Sequence, residues 1–137
     1  MTPQLVRQIS RVLVVEDDRA TRDIIGAMLR LESIPFTALE NGSQVINLLQ
    51  KGDYDFIIMD IFMPGIDGLT VTRHIRALPE PICRIPILGI TVNAETLHFR
   101  QGLEAGMTDI LDKPFTISQL FQAIAECFPG QVASRRG

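Results

Sequence analysis

The stretch that decides the fold is Phe56-Ile57-Ile58-Met59-Asp60-Ile61-Phe62-Met63-Pro64-Gly65-Ile66-Asp67-Gly68. Four consecutive apolar residues lead to a carboxylate, and the chain then passes through Pro64, Gly65 and Gly68. A short continuous apolar run bounded by turn signals reads as a strand buried on both faces. Pro64, Gly65 and Gly68 shape the loop after Asp60 and release the chain into a helix. They also read simply as turn residues, and the two readings are compatible.

Similar runs recur on either side of this one. Val12–Val15 and Ile87–Ile90 are likewise nearly continuous, whereas Phe36–Leu39 contains Thr37 and Ala38 and suits an edge strand. Ile110–Leu111 is too short to assign from its pattern alone. Pro35 and Pro86 stand where strands begin, a position that tolerates a missing N–H. Between the runs lie segments of helical period. Ile24, Ile25, Met28, Leu29 and Leu31 form one stripe after Asp18 and Arg19; Val45, Ile46, Leu48 and Leu49 form another, with Asn41 or Ser43 as caps. Leu69, Val71, Ile75 and Leu78 give a third. Asn93–Glu104 is a fourth, weakly amphipathic and closed by Gly106. Ile117, Leu120, Phe121, Ile124 and Phe128 give a fifth, closed by Pro129 and Gly130. Five strands alternating with five helices imply crossover connections and a doubly wound α/β fold with a parallel sheet covered on both faces.

The 137 residues suffice for one domain, with 46% hydrophobic and 21% charged residues, the balance of a soluble globular protein. A net charge of −3 gives no basic footprint for nucleic acid. Cys83 and Cys127 have no metal-ligand or redox spacing, which fits reduced thiols in a cytoplasmic protein. Met1–Ser10 is polar, lacks the apolar run of a signal peptide, and no stretch approaches the ~18 apolar residues of a membrane span. The expected organisation is a tail over 1–10, a domain over 11–128 and a tail over 129–137, with Met1–Gln8 and Gln131–Gly137 mobile.

Doubly wound sheets carry their sites just beyond the carboxyl ends of the strands. Chemically useful residues do follow the apolar runs: Glu16, Asp17 and Asp18 after the first, Asp60 after the third, Thr91 after the fourth, and Asp112, Lys113 and Pro114 after the fifth. Neighbouring strands would gather Glu16, Asp17 and Asp60 into an acidic pocket flanked by Thr91 and Lys113. Close carboxylates disfavour one another's ionised forms unless a cation intervenes. Mg²⁺ suits such oxygen donors, and a carboxylate beside it can act as a nucleophile toward phosphorus. Lys113 and Thr91 would then supply charge and a donor to the phosphoryl oxygens. Taken singly, the acids read as a solvated turn or helix cap, Thr91 as structural and Lys113 as a surface charge. Their joint placement at four strand ends favours the phosphoryl site.

Val14-Val15-Glu16-Asp17-Asp18, the Met59–Gly68 block, Pro86-Ile87-Leu88-Gly89-Ile90-Thr91 and Asp112-Lys113-Pro114-Phe115 together resemble a response-regulator receiver domain, over about Arg11 to Phe128. The resemblance implies a flavodoxin-like three-layer sandwich with strand order 2-1-3-4-5. It implies that Asp60 accepts phosphate from a histidine kinase or a histidine phosphotransfer protein. Asp17 would ligate Mg²⁺ directly, Glu16 through water, and Phe62 by its backbone carbonyl, while Thr91 and Lys113 hold the phosphoryl oxygens. The Lys113–Pro114 bond would be cis. Two positions depart from the family pattern. Ile110 stands where many receivers carry an aromatic residue that turns inward on phosphorylation, so the switch would rely on Thr91 and the loop Val92–Glu95. Phe62 stands where a polar residue often positions a hydrolytic water, so slow loss of phosphate is expected.

Phosphorylation adds about −1.5 to −2 charge. Thr91 would move toward it and alter the face formed by the fourth helix, fifth strand and fifth helix for an output partner. Leu97, His98, Phe99 and Phe121 are candidates for that face, although periodicity places the apolar ones in the core; His98 and His74 read as surface residues. The chain is expected to be a monomer or weak homodimer that contacts neither nucleic acid nor membrane. No output domain fits in the remaining residues, leaving a stand-alone regulator or a receiver from something larger, such as a hybrid kinase. Other readings are an interaction module that has lost phosphorylation, against which the complete acidic set argues, and an aspartyl-phosphate phosphatase, which needs an Asp where Phe62 stands. A flavin or nucleotide module lacks its Gly-rich phosphate loop here.

Overall fold

In a computed structural model that describes residues 6–92 and 96–128, five parallel strands form one sheet. They are β1 (Val12–Val15), β2 (Phe36–Leu39), β3 (Phe56–Asp60), β4 (Ile87–Val92) and β5 (Asp109–Lys113), in the order β2-β1-β3-β4-β5. Four helices connect them, α1 (Arg19–Leu31), α2 (Val45–Lys51), α3 (Gly68–Arg76) and α4 (Thr96–Ala105), and α5 (Ile117–Glu126) follows β5.

The period of two along each strand sorts the core into two layers. Val12, Val14, Phe56 and Ile58 pack beneath α1 and α5 with Ile25, Leu29, Leu120 and Ile124. Leu13, Val15, Ile57 and Met59 face the opposite way and join Val45, Leu49, Val71, Ile75 and Ile110. The result is a flavodoxin-like three-layer sandwich. β2 is only partly buried, as its mixed sequence and edge position require.

Helix starts follow local chemistry. The Asp18 carboxylate caps α1 by accepting from the Thr21 N–H at 2.9 Å, and Asp67 caps α3 by accepting from Thr70 N–H at 2.8 Å. Thr116 and Gln119 form a reciprocal capping box at the start of α5. Asn41 accepts from Ser43 N–H at 2.9 Å and starts a short 3₁₀ turn, Gly42–Gln44, that runs into α2.

Several expectations need correction. Val6–Gln8 form a 3₁₀ turn, with Val6 and Ile9 buried in the α1/α5 layer. That part of the expected 1–10 tail therefore belongs to the domain, because the apolar pair covers the bottom of the core. Ile24 and Leu31 lie on the solvent side of α1, so the buried stripe is narrower than periodicity suggests. Asp60, Thr91 and Lys113 are not beyond their strands but end or nearly end them. Phe121 is core, Phe99 is half-buried, and Leu97 is exposed. Asn93–Glu95, and with them most of the expected switch loop and the expected start of the fourth helix, lie outside the described residues, as do Pro129–Gly137.

Candidate phosphorylation site

The strand order reverses between β1 and β3, and this is where the acids meet. Val15 is level with Met59 in the register, so Glu16 leaves β1 beside Asp60, the last residue of β3. On the other side Asp60 is level with Ile90, which sets Thr91 one step further along β4; Thr91 in turn is level with Asp112, and Val92 with Lys113. The reach of the lysine then closes the site. Its Nζ lies 2.9 Å from Glu16 Oε1 and 3.5 Å from Asp60 Oδ2.

Glu16, Asp17 and Asp60 each offer a carboxylate oxygen, all within 4.8 Å of one another. Glu16 and Asp60 are buried while Asp17 is exposed, so the group opens to solvent on one side. Burial, hydrogen bonding with Glu16 and Asp17, and the charge of Glu16 push the Asp60 carboxyl up to about 8, against the pull of Lys113. For Lys113, burial lowers the affinity for a proton. The hydrogen bond to Glu16 and the charges of Asp60 and Glu16 outweigh it, and the net shift is upward.

The residues present fit a hard divalent cation. The donors are all carboxylate oxygens, which is Mg²⁺ chemistry. Burial first, and then the neighbouring acids, disfavour the ionised form of Asp60 beyond what Lys113 offsets, and a cation held by the same carboxylates would relieve this.

Two residues whose contacts the sequence did not announce shape the site. Arg22 Nη1 donates to the Glu16 carbonyl at 2.8 Å and the Asp17 carbonyl at 3.3 Å, fixing the turn that presents both acids. Its place in the first turn of α1, four residues after the cap, is the only sequence signal for this. The second is His98, whose ring meets Phe62 edge-on with centroids 4.9 Å apart. No sequence pattern links those two positions.

Gly68 matters because of space. A Cβ there would lie 2.0 Å from the Asp60 carbonyl oxygen. Its N–H donates to Ile61 O at 2.9 Å, closing the loop over the end of β3. The Lys113–Pro114 peptide is cis, as the resemblance implied. Thr91 is buried at the site's edge, with its hydroxyl donating to Val92 O at 3.2 Å rather than to a site carboxylate. The Phe62 side chain turns outward toward His98.

Among the described residues no helix is long and apolar enough to cross a membrane. The family model for the response regulator receiver domain matches residues 12–125. The chain is 33% identical over 110 residues to the response regulator MprA of Mycobacterium sp. (strain KMS), covering 80% of this chain and 46% of that protein. It thus spans about half the length of the curated relatives it matches. The fold superposes with TM-score 0.78 and 36% identity on the receiver domain of the sensor histidine kinase PA1611 from Pseudomonas aeruginosa PAO1, covering 85% of this chain and 95% of that one. That structure holds a magnesium ion in its active-site cleft. The receiver domain of Ssk1 from Saccharomyces cerevisiae, solved with the histidine phosphotransfer protein Ypd1, matches with TM-score 0.78 and 25% identity over 92% of this chain and 90% of that one. The switch-point acids, the strand order and these likenesses agree, and the chain belongs to the response regulator receiver domain family of two-component signalling.

Proposed function

We propose that Asp60 accepts a phosphoryl group from the phosphohistidine of a histidine kinase or a histidine phosphotransfer protein. The observation that carries this is the buried Asp60 carboxyl at the strand-order reversal, within 3.5 Å of Lys113 Nζ and grouped with Glu16 and Asp17. A carboxylate oxygen of Asp60 attacks phosphorus, the new O–P bond forms, and the N–P bond electrons return to the imidazole nitrogen.

Glu16, Asp17, Asp60 and the Phe62 backbone carbonyl would hold Mg²⁺, with Asp17 a direct ligand and Glu16 acting through water. When bound, the ion supplies positive charge that keeps Asp60 ionised and offsets charge on the phosphoryl oxygens. Lys113 places its ammonium against the same oxygens, and it is already held between Glu16 and Asp60. The Thr91 hydroxyl must leave Val92 O to reach the phosphoryl group, so capture of that hydroxyl transmits the new charge into the end of β4. The α4–β5–α5 face is then read by an output protein. The domain signals; its own chemistry is limited to taking up and slowly losing phosphate.

Transfer from a phosphorylated histidine phosphotransfer protein tests this reading. Wild type should gain label in the presence of Mg²⁺ and Asp60→Asn should gain none; equal labelling of both would refute it. Phe62 leaves no polar side chain two residues after Asp60 to orient a water. Phe62→Asn should therefore shorten the lifetime of phosphorylated Asp60, by about tenfold or more if the amide acts as a positioned catalytic group. An unchanged or longer lifetime would count against that role.

A further inference from the structure

α4 is anchored mainly through its C-terminal half. Among its described side chains only Gly102 and Ala105 are buried, and both lie in its C-terminal half. There the packing is close. A Cβ at Gly102 would lie 2.3 Å from Ile110 Cδ1, and one at Gly89 would lie 2.4 Å from Met107 Sδ and 2.9 Å from Ile110 Cδ1. Ile110 is fully buried in this contact. It fills the space beneath α4 and gives position 110 no route to the surface, so α4 cannot be driven by a side chain turning in and out there.

The N-terminal half of α4 is held differently. His98 lies one turn before Gly102, on the same face of the helix, and is half-buried. Its ring meets Phe62 at 4.9 Å between centroids with an interplanar angle of 68°. Edge-on aromatic contacts are favourable and orientation-dependent. Phe62 is nearly half exposed, at 47%, so its ring stands outside the core and meets His98 at the surface. Phe62 lies two residues after Asp60 in the loop that Gly68 closes.

We infer that the Phe62–His98 contact couples the loop after Asp60 to α4, so that phosphorylation reaches α4 through these two rings. This rests on Asp60 being the phosphoacceptor. Elements with few buried contacts are the ones whose local equilibrium a small bias shifts. Here the bias is applied at the N-terminal half of α4, where Phe99 packs only partly buried against the core and no described side chain is fully buried.

Amide hydrogen exchange across residues 96–105, with and without Mg²⁺ and acetyl phosphate, tests the coupling in the full chain. Phosphorylation is monitored by intact mass in the same samples. In wild type, phosphorylation should change α4 protection, and in His98→Leu that change should fall by about three- to tenfold, the span expected for losing one edge-on aromatic pair. His98→Phe should restore it. Phe62→Leu should reproduce the loss, and the double variant Phe62→Leu/His98→Leu should add nothing further. A His98→Leu chain that is phosphorylated and shows the full wild-type response in α4 would overturn the coupling, as would phosphorylated wild type with no response in α4. If wild type gains no phosphoryl mass, the phosphoacceptor reading itself fails and takes the coupling with it, an outcome distinct from both.

Discussion

At the scale of single residues, Asp60 is a carboxyl whose ionisation its surroundings oppose when no cation is bound. In the folded chain it titrates at about 8, because of burial and its neighbours Glu16 and Asp17. In the unfolded chain it ionises near 4. Between those values the folded state binds more protons than the unfolded state, so this group makes stability fall as pH rises through the window and level off above about 8. Urea denaturation of wild type and Asp60→Asn without divalent ions isolates the effect. The difference between the two should move in favour of Asp60→Asn as pH rises from about 5 to about 8.5, and a pH-independent difference would contradict it. Gly68 allows a second residue-scale prediction. Its Cβ would collide with the Asp60 backbone, not with a flexible side-chain end. Gly68→Ala should cost about 1–3 kcal/mol in denaturation and weaken Mg²⁺ binding measured by calorimetry.

Between elements, Arg76 joins parts of the chain that no pattern connects. Its Nε donates to Gly106 O at 2.8 Å, and its Nη1 donates to Cys83 O at 2.8 Å and Ile85 O at 2.7 Å. The end of α3 thereby holds both the turn after α4 and the approach to β4. Arg76→Met keeps the aliphatic stem but strips three carbonyls of their donor, and should destabilise the domain by about 1–3 kcal/mol in urea denaturation. The strands β1, β3 and β4 were legible in the sequence because burial on both faces demands an unbroken apolar run, as in Val12–Val15 and Phe56–Met59. β5 was not, because Asp109, Asp112 and Lys113 occupy three of its five positions and only Ile110 and Leu111 carry the signal. The start of α1 was legible from Asp18, whereas the exposure of Ile24 and Leu31 was not, since periodicity marks an apolar stripe without saying how much of it finds a partner.

Over the whole molecule, the strand order creates the site. Reversal between β1 and β3 sets Glu16 beside Asp60, and the next two strands carry Thr91 and Lys113 to the same end of the sheet. The acids and Lys113 could be read from strand-end positions because the rule that locates them is topological. Arg22 and His98 could not, because their partners are a pair of carbonyls and a loop side chain. A site assembled from side chains at four strand ends should also report on global stability. At a hundred times its dissociation constant, a cation that binds only the folded chain adds about 2.7 kcal/mol, or on the order of 10 °C in melting temperature. Mg²⁺ should produce such a shift in wild type, and a much smaller one in Asp17→Asn; equal shifts in both would remove Asp17 from the cation site.

The most direct measurement is peptide mapping by mass spectrometry after incubation with acetyl phosphate and Mg²⁺. A hydroxylamine-labile phosphoryl group is expected on the peptide carrying Asp60, absent without Mg²⁺ and absent in Asp60→Asn. A phosphoryl group found on another residue, or unchanged uptake by Asp60→Asn, would contradict it.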